Sequence, residues 1–133
     1  MMRLLLCGLL AFPICACAQQ ASCPLTISEG TVEVRAPAGW QASSSLAHLG
    51  SAGMTSGHPR RLGYLVPEAT RKVNGRADDS WQFDKGEEKW LWCGYGREVI
   101  QLAKRMNDAA TKCEMTGKEE RPGVYLEITL VCK

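Results

Sequence analysis

From residue 124 onward the chain alternates strictly. Val124, Leu126, Ile128, Leu130 and Cys132 fall on one side of a period-two pattern, with Tyr125, Glu127, Thr129 and Val131 on the other. That spacing is the mark of a strand with one dry face. The preceding TKCEMTGK, residues 111–118, sets Cys113 and Met115 against Lys112, Glu114, Thr116 and Lys118. Between the two runs, Glu119-Glu120-Arg121-Pro122-Gly123 is turn material, so the segment predicts a β-hairpin. With Pro122-Gly123 as the central turn residues, Arg121 faces Val124 and Cys113 faces Cys132. L-Pro-Gly prefers a type II turn, which suits a two-residue hairpin poorly, so a longer loop with a small offset is the alternative.

Further strands are predicted upstream. TVEVRA (31–36) alternates Val32 and Val34 against Glu33 and Arg35, and ends at Pro37-Ala38-Gly39 before Trp40. RLGYLVP (61–67) reads as a short strand or extended segment that Pro67 confines to an edge or an ending. SWQFD (80–84) puts Trp81 and Phe83 on one face. In EKWLWCGY (88–95), Trp90 and Trp92 share one face and Leu91, Cys93 and Tyr95 the other. Apolar residues on both faces predict a central strand covered on both sides, with the tryptophans packed in a core. REVIQLAKR (97–105) suits a helix by composition, but Val99, Ile100 and the short connections favour a strand. Residues 42–59, rich in small side chains, and 68–79, with an Asn74-Gly75 turn, are expected as loops. The sum is an all-β, mainly antiparallel fold: a single sandwich or open-barrel domain of about seven or eight short strands.

The first twenty residues are a different material. Arg3 precedes the apolar run LLLCGLLAFPICACA, too short for a helix of roughly 20 residues across a bilayer. The small-residue triplet Ala16-Cys17-Ala18 completes a secretory signal peptide, residues 1–18, cut before Gln19. The alternative is a lipoprotein signal in which Ile14-Cys15-Ala16-Cys17 acts as the lipobox and Cys17 carries the lipid, although Cys15 departs from the small or β-branched residue usual there. Either leader predicts that the mature domain works outside the cytosol, soluble or lipid-anchored, and no other run could span a membrane. Removing 18 of 133 residues leaves 115, residues 19–133, enough for one modest domain. Loss of Arg3 takes the net charge from +2 to +1, which predicts no general attraction to nucleic acid or anionic lipid.

Three of the seven cysteines (Cys7, Cys15 and Cys17) leave with the leader. The remaining four, Cys23, Cys93, Cys113 and Cys132, suit two disulfides in an exported chain, with three connectivities open. The hairpin favours Cys113–Cys132, and with it Cys23–Cys93. In the loop-entropy model these bridges contribute roughly 3 and 4 kcal/mol. The closest spacing among the four is 19 residues and no CxxC or HxxxH pair exists, so neither a metal nor another cofactor is expected.

Catalytic constellations are equally thin. His48 and His58 are the only histidines, and a triad with Ser43, Ser44 or Ser45 lacks both a G-x-S-x-G elbow and an orienting partner. Asp78-Asp79 and Glu87-Glu88 are adjacent carboxylates, which in a strand point to opposite faces and cannot share a proton. Gly94-x-Gly96 lacks the following glycine and helix start of a phosphate loop. Cys93 sits among large apolar side chains with no resolving cysteine nearby, unlike a redox thiol. An exposed Trp90–Trp92 pair would stack on a sugar, which keeps a glycan-binding module as the rival to core packing. Arg71-Lys72-Val73-Asn74-Gly75-Arg76 forms a basic loop that is either simply solvated or projects toward an acidic partner.

Taken in order, Cys23-Pro24, Pro37-Ala38-Gly39-Trp40, Gly57-His58-Pro59, Leu65-Val66-Pro67, Trp81, Trp90-Leu91-Trp92-Cys93-Gly94-Tyr95 and the terminal Cys113…Cys132 pair resemble a family of small exported proteins of Gram-negative bacteria. Some of its members are encoded beside type VI secretion toxins that attack the cell wall and are regarded as periplasmic immunity proteins. The resemblance implies a non-enzymatic inhibitor that binds a secreted toxin or cell-wall enzyme; a lysozyme-type inhibitor shares that mechanism with another target. Where relatives tend to carry Gly-Pro-Pro followed by acidic residues, this chain has Gly57-His58-Pro59-Arg60-Arg61, which implies an acidic partner surface. Arg60, Arg61, Arg71, Lys72, Asn74 and Arg76 are accordingly the expected partner-binding residues.

Overall fold

The computed structural model describes residues 18–133; the leader and Cys17 lie outside them. Nine strands follow in chain order: β1 (Gln19–Ser22), β2 (Thr26–Ile27), β3 (Ala47–Ser56), β4 (Ala69–Val73), β5 (Arg76–Gln82), β6 (Lys89–Tyr95), β7 (Ile100–Arg105), β8 (Lys112–Arg121) and β9 (Val124–Cys132). All neighbouring pairs are antiparallel. They form a five-stranded sheet in the order β1-β9-β8-β5-β4 and a four-stranded sheet in the order β2-β3-β6-β7.

The two sheets pack as a sandwich over the side chains that alternation assigns to one face of each strand. Trp81, Met115, Ile128 and Leu130 come from the large sheet, and Leu49, Met54, Leu91 and Tyr95 from the small one; all are buried. Tyr95 keeps its hydroxyl satisfied in this core by donating to the Pro24 carbonyl at 2.6 Å, as a buried phenol must. Burial pushes that phenol's pKa upward. Lys89 continues the inward row of β6 and is fully buried. Its Nζ donates to the carbonyls of Glu87 (2.7 Å), Asp108 (3.0 Å) and Asn107 (3.5 Å), and lies 5.1 Å from the Phe83 ring centroid. Desolvation lowers the pKa of this ammonium, opposed by the negative charges of Asp108 and Glu87.

Both expected disulfides are present. Cys113 and Cys132 are directly paired across β8 and β9, and Arg121 faces Val124, the arrangement set by a Pro122-Gly123 turn. Gly123 takes φ 78°, and the strain of joining such a turn to a hairpin is absorbed by register shifts between Lys118 and Arg121. Cys23, just past β1 of the large sheet, reaches Cys93 in β6 of the small one, so this bridge ties the two layers together.

Several expectations are corrected. Residues 31–36 form no strand: Val34 is exposed and the segment has only local turns, such as the Thr31 amide on the Ser28 carbonyl (3.2 Å). Its alternation is compatible with a strand, but no sheet edge lies beside it to supply ladder partners. Conversely, the small-residue stretch 42–59 contains the ten-residue β3, and 68–79 is the β4–β5 hairpin rather than a loop. In β3 one small residue, Gly53, is required by close approach. A Cβ on Gly53 would lie 2.9 Å from Trp92 Nε1, because the indole lies across that strand. Trp90 and Trp92 are therefore not core residues. They occupy the outer face of the small sheet, partly buried, while Leu91, Cys93 and Tyr95 point inward.

Candidate partner-binding surface

What covers the outer tryptophans is a strap, residues 57–67, that leaves the end of β3 and crosses toward β4. It starts at Gly57, whose amide donates to the Glu88 carbonyl (2.8 Å) and whose carbonyl accepts from Thr55 Oγ1 (2.7 Å). A single 3-10 turn, Pro59–Arg61, follows. His58 caps it, its Nδ1 accepting from the Arg60 amide at 3.1 Å, and its ring meets Trp90 edge-on at 4.6 Å. The strap then runs beside β3, with the Ser56 amide on the Gly63 carbonyl (2.9 Å) and the Leu65 amide on the Met54 carbonyl (3.0 Å). Tyr64 crosses the outer face, meeting Trp92 edge-on at 5.4 Å and donating to Gln101 Oε1 at 2.9 Å. Trp90 Nε1 donates to Glu88 Oε1 at 2.8 Å. The tryptophans are thus roofed by His58 and Tyr64 and present no open, flat platform of the kind a sugar ring stacks on.

The six residues expected to bind a partner separate into two groups. Arg60 and Arg61 lie in the 3-10 turn and are exposed. Arg71 and Lys72 lie in β4, the outermost strand of the large sheet, and Asn74 forms the β4–β5 turn with Gly75 at φ 48° and 75°. The positive φ at both positions is the reason for the Asn-Gly pair. Arg76 is engaged internally: its Nε bonds Asp78 Oδ1 at 2.9 Å, and Thr116 Oγ1 donates to the same oxygen at 2.9 Å. These bonds hold the Asp78 carboxyl below its ordinary pKa.

That pairing is typical of the large sheet's outer face, where a shallow depression of about 750 Å³ is lined by residues including Arg76, Asp78, Thr116, Glu127 and Thr129. Lys118 meets Glu127 at 2.8 Å and Lys112 meets Glu114 at 2.6 Å. Each lysine keeps its carboxyl partner's pKa low. Arg60, Arg71 and Lys72, by contrast, form no ion pair among the described residues, and Arg61 only approaches Glu88 at 3.9 Å.

No group of three His, Cys, Asp or Glu residues suited to a metal occurs among the described residues. His48 is exposed in β3 and His58 is committed to its cap and to Trp90, so no triad is assembled around either. Both Cys93 and Cys23 are consumed by their bridge. The strap also carries apolar residues whose exposure its sequence does not mark: Leu62 is 74% exposed and Val66 85%, while Tyr64, 43% exposed, is turned onto Trp92. Their period-two spacing was visible, but not the side to which it would point.

The fold and the surface together define a disulfide-stapled two-sheet sandwich with a strap across the small sheet and a basic outer strand on the large one. The chain belongs to the type VI secretion system Tli immunity protein family, whose family model matches residues 42–133. Its partner is accordingly a protein toxin, and its role that of an inhibitor. The match begins just before β3, so β1, β2 and Cys23 lie outside it. No curated protein and no solved structure matches the chain. No helix among the described residues is long and apolar enough to cross a membrane.

Proposed function

We propose that the chain is a non-enzymatic periplasmic inhibitor that binds an envelope-directed type VI toxin, a cell-wall hydrolase in the narrowest reading, and occludes its active site. The observation that carries this is the contrast in charge pairing. Cations on the broad face of the large sheet are neutralised internally, whereas Arg60, Arg71 and Lys72 are exposed and unpaired on the strap and the β4 edge. Lys85, Arg97, Lys104 and Arg121 also lack ion pairs, but each lies on a different segment. Free cations on an exposed surface favour an acidic partner and accelerate its capture. Asn74 belongs to the same edge, while Arg76 acts by holding Asp78. Two disulfides agree with an oxidising compartment, and residues 1–18 have the form of an export signal.

The test is co-expression in the periplasm of a susceptible bacterium with each type VI toxin encoded beside the gene, followed by pull-down. Protection and a stable complex are expected. Protection against a peptidoglycan hydrolase supports the narrow reading. Protection only against a toxin that attacks another envelope component removes the cell wall from it. Absence of binding and protection with every such toxin sinks the proposal. Should the protein instead bind peptidoglycan fragments with a change in tryptophan emission, the glycan-binding alternative replaces it.

A further inference from the structure

Most positive-φ positions among the described residues are held by glycine, as at Gly39, Gly75, Gly86 and Gly123. Leu62 breaks that habit. It sits at φ 58° and ψ 25°, the left-handed region, and closes the 3-10 turn. Any side chain is disfavoured there because its Cβ crowds the carbonyl that follows, and an apolar one has no polar group to bond the local backbone in compensation. The other side-chain-bearing residues at positive φ, Asn74, Arg97 and Glu98, are polar; Leu62 is the apolar one among the described residues. Packing does not compensate, since the side chain is 74% exposed. Folding on its own terms would favour glycine or asparagine at this position.

The backbone around Leu62 is pinned on both sides. Arg61 and Leu62 amides donate to the His58 and Pro59 carbonyls at 2.8 and 2.9 Å, and Gly63 is bound to Ser56 at 2.9 Å. Pro59 is buried beneath the turn. A Cβ on Gly63 would lie 2.5 Å from the Ser56 carbonyl oxygen, so the strap is seated against β3 with no slack. The result is an apolar side chain held out to solvent on a rigid, strained turn, beside Arg60, which forms no ion pair, and Arg61, which barely reaches Glu88. Strain of this kind persists where surrounding structure over-determines it, and such positions cluster at ligand clamps. A preordered loop also loses little conformational freedom on binding.

We propose that Leu62 is the anchor of the toxin interface: a knob that enters an apolar socket on the toxin, with Arg60 and Arg61 pairing carboxylates at the socket's rim. Tyr64 and Val66 extend the contact along the strap. This assignment rests on the reading of the chain as a toxin-binding inhibitor and locates the contact within it.

The test uses the full mature protein and the type VI toxin encoded beside its gene. Leu62→Gly relieves the left-handed strain while removing the knob. Its melting temperature is expected to equal or exceed that of the unaltered protein, while affinity for the toxin falls at least about 30-fold, mainly through faster dissociation. The pair Arg60→Ser and Arg61→Ser is expected to slow association about tenfold and to flatten its salt dependence. A Leu62→Gly protein that binds within about threefold of the unaltered affinity overturns the assignment and leaves the inhibitor reading standing. If the unaltered protein binds no such toxin, the inhibitor reading itself fails and takes the anchor with it.

Discussion

Lys89 is the residue whose identity is hardest to justify from its neighbours in sequence and easiest from its neighbours in space. Its methylenes continue the apolar row of β6, while its ammonium meets three backbone carbonyls at the open end of the core. Two of them also accept from backbone amides, Asp108 from Gly86 at 2.8 Å and Asn107 from Ala110 at 3.1 Å, so it is chiefly the Glu87 carbonyl that depends on the lysine, and an unpaired buried acceptor costs about 1–3 kcal/mol. Lys89→Met preserves the stem and removes the donors. Chemical denaturation of this variant is expected to show a loss of about 2 kcal/mol with an unchanged m-value. The role of Lys89 was not legible in EKWLWCGY, where a lysine next to an aromatic run reads as the strand's solvated entry. The cysteines were legible, because a disulfide demands a facing register, and the hairpin pattern already supplied one.

At the level of elements, legibility followed side-chain size. β9 announced itself because its apolar residues recur at every second position, with Ile128, Leu130 and Cys132 buried, whereas β3 was hidden behind Gly50, Ser51, Ala52 and Gly53. Gly53 has no side chain because the Trp92 indole lies over it, a constraint imposed by another strand. The strap is governed in the same way from outside. RLGYLVP looks like a weak strand, yet of its residues only Tyr64 forms a bridge, to Thr55 in β3. Gly63→Ala would drive a Cβ into the Ser56 carbonyl oxygen, a backbone atom that cannot swing aside. It is expected to cost about 1–3 kcal/mol and to detach the strap. Trp90 and Trp92 would then lose their roof, and the tryptophan emission of the folded protein should shift to longer wavelength. A variant of native stability with unshifted emission would contradict this seating.

At the scale of the whole molecule, the two bridges do different work. Cys113–Cys132 closes a hairpin whose strands are already paired, while Cys23–Cys93 joins the layers across a separation of 70 residues. Loop entropy alone gives about 3 and 4 kcal/mol respectively. Cys23→Ser with Cys93→Ser is therefore expected to lower stability more than Cys113→Ser with Cys132→Ser, measured by thermal melts of each double variant. The opposite order would mean that the β1 segment contributes little to holding the sheets together. The sequence by itself determined the all-β class and the terminal hairpin, and it favoured the register and the cysteine pairing that the structure shows. Each of these depends on periodicity or local geometry, which one segment carries alone. Only the tertiary structure decided that 31–36 has no partner, that β3 exists, that the tryptophans face outward, and that Leu62 is held to solvent by a turn pinned from both sides. Those outcomes depend on which surfaces meet across the sandwich, and a strand's own pattern does not say which of its faces will be covered or by what.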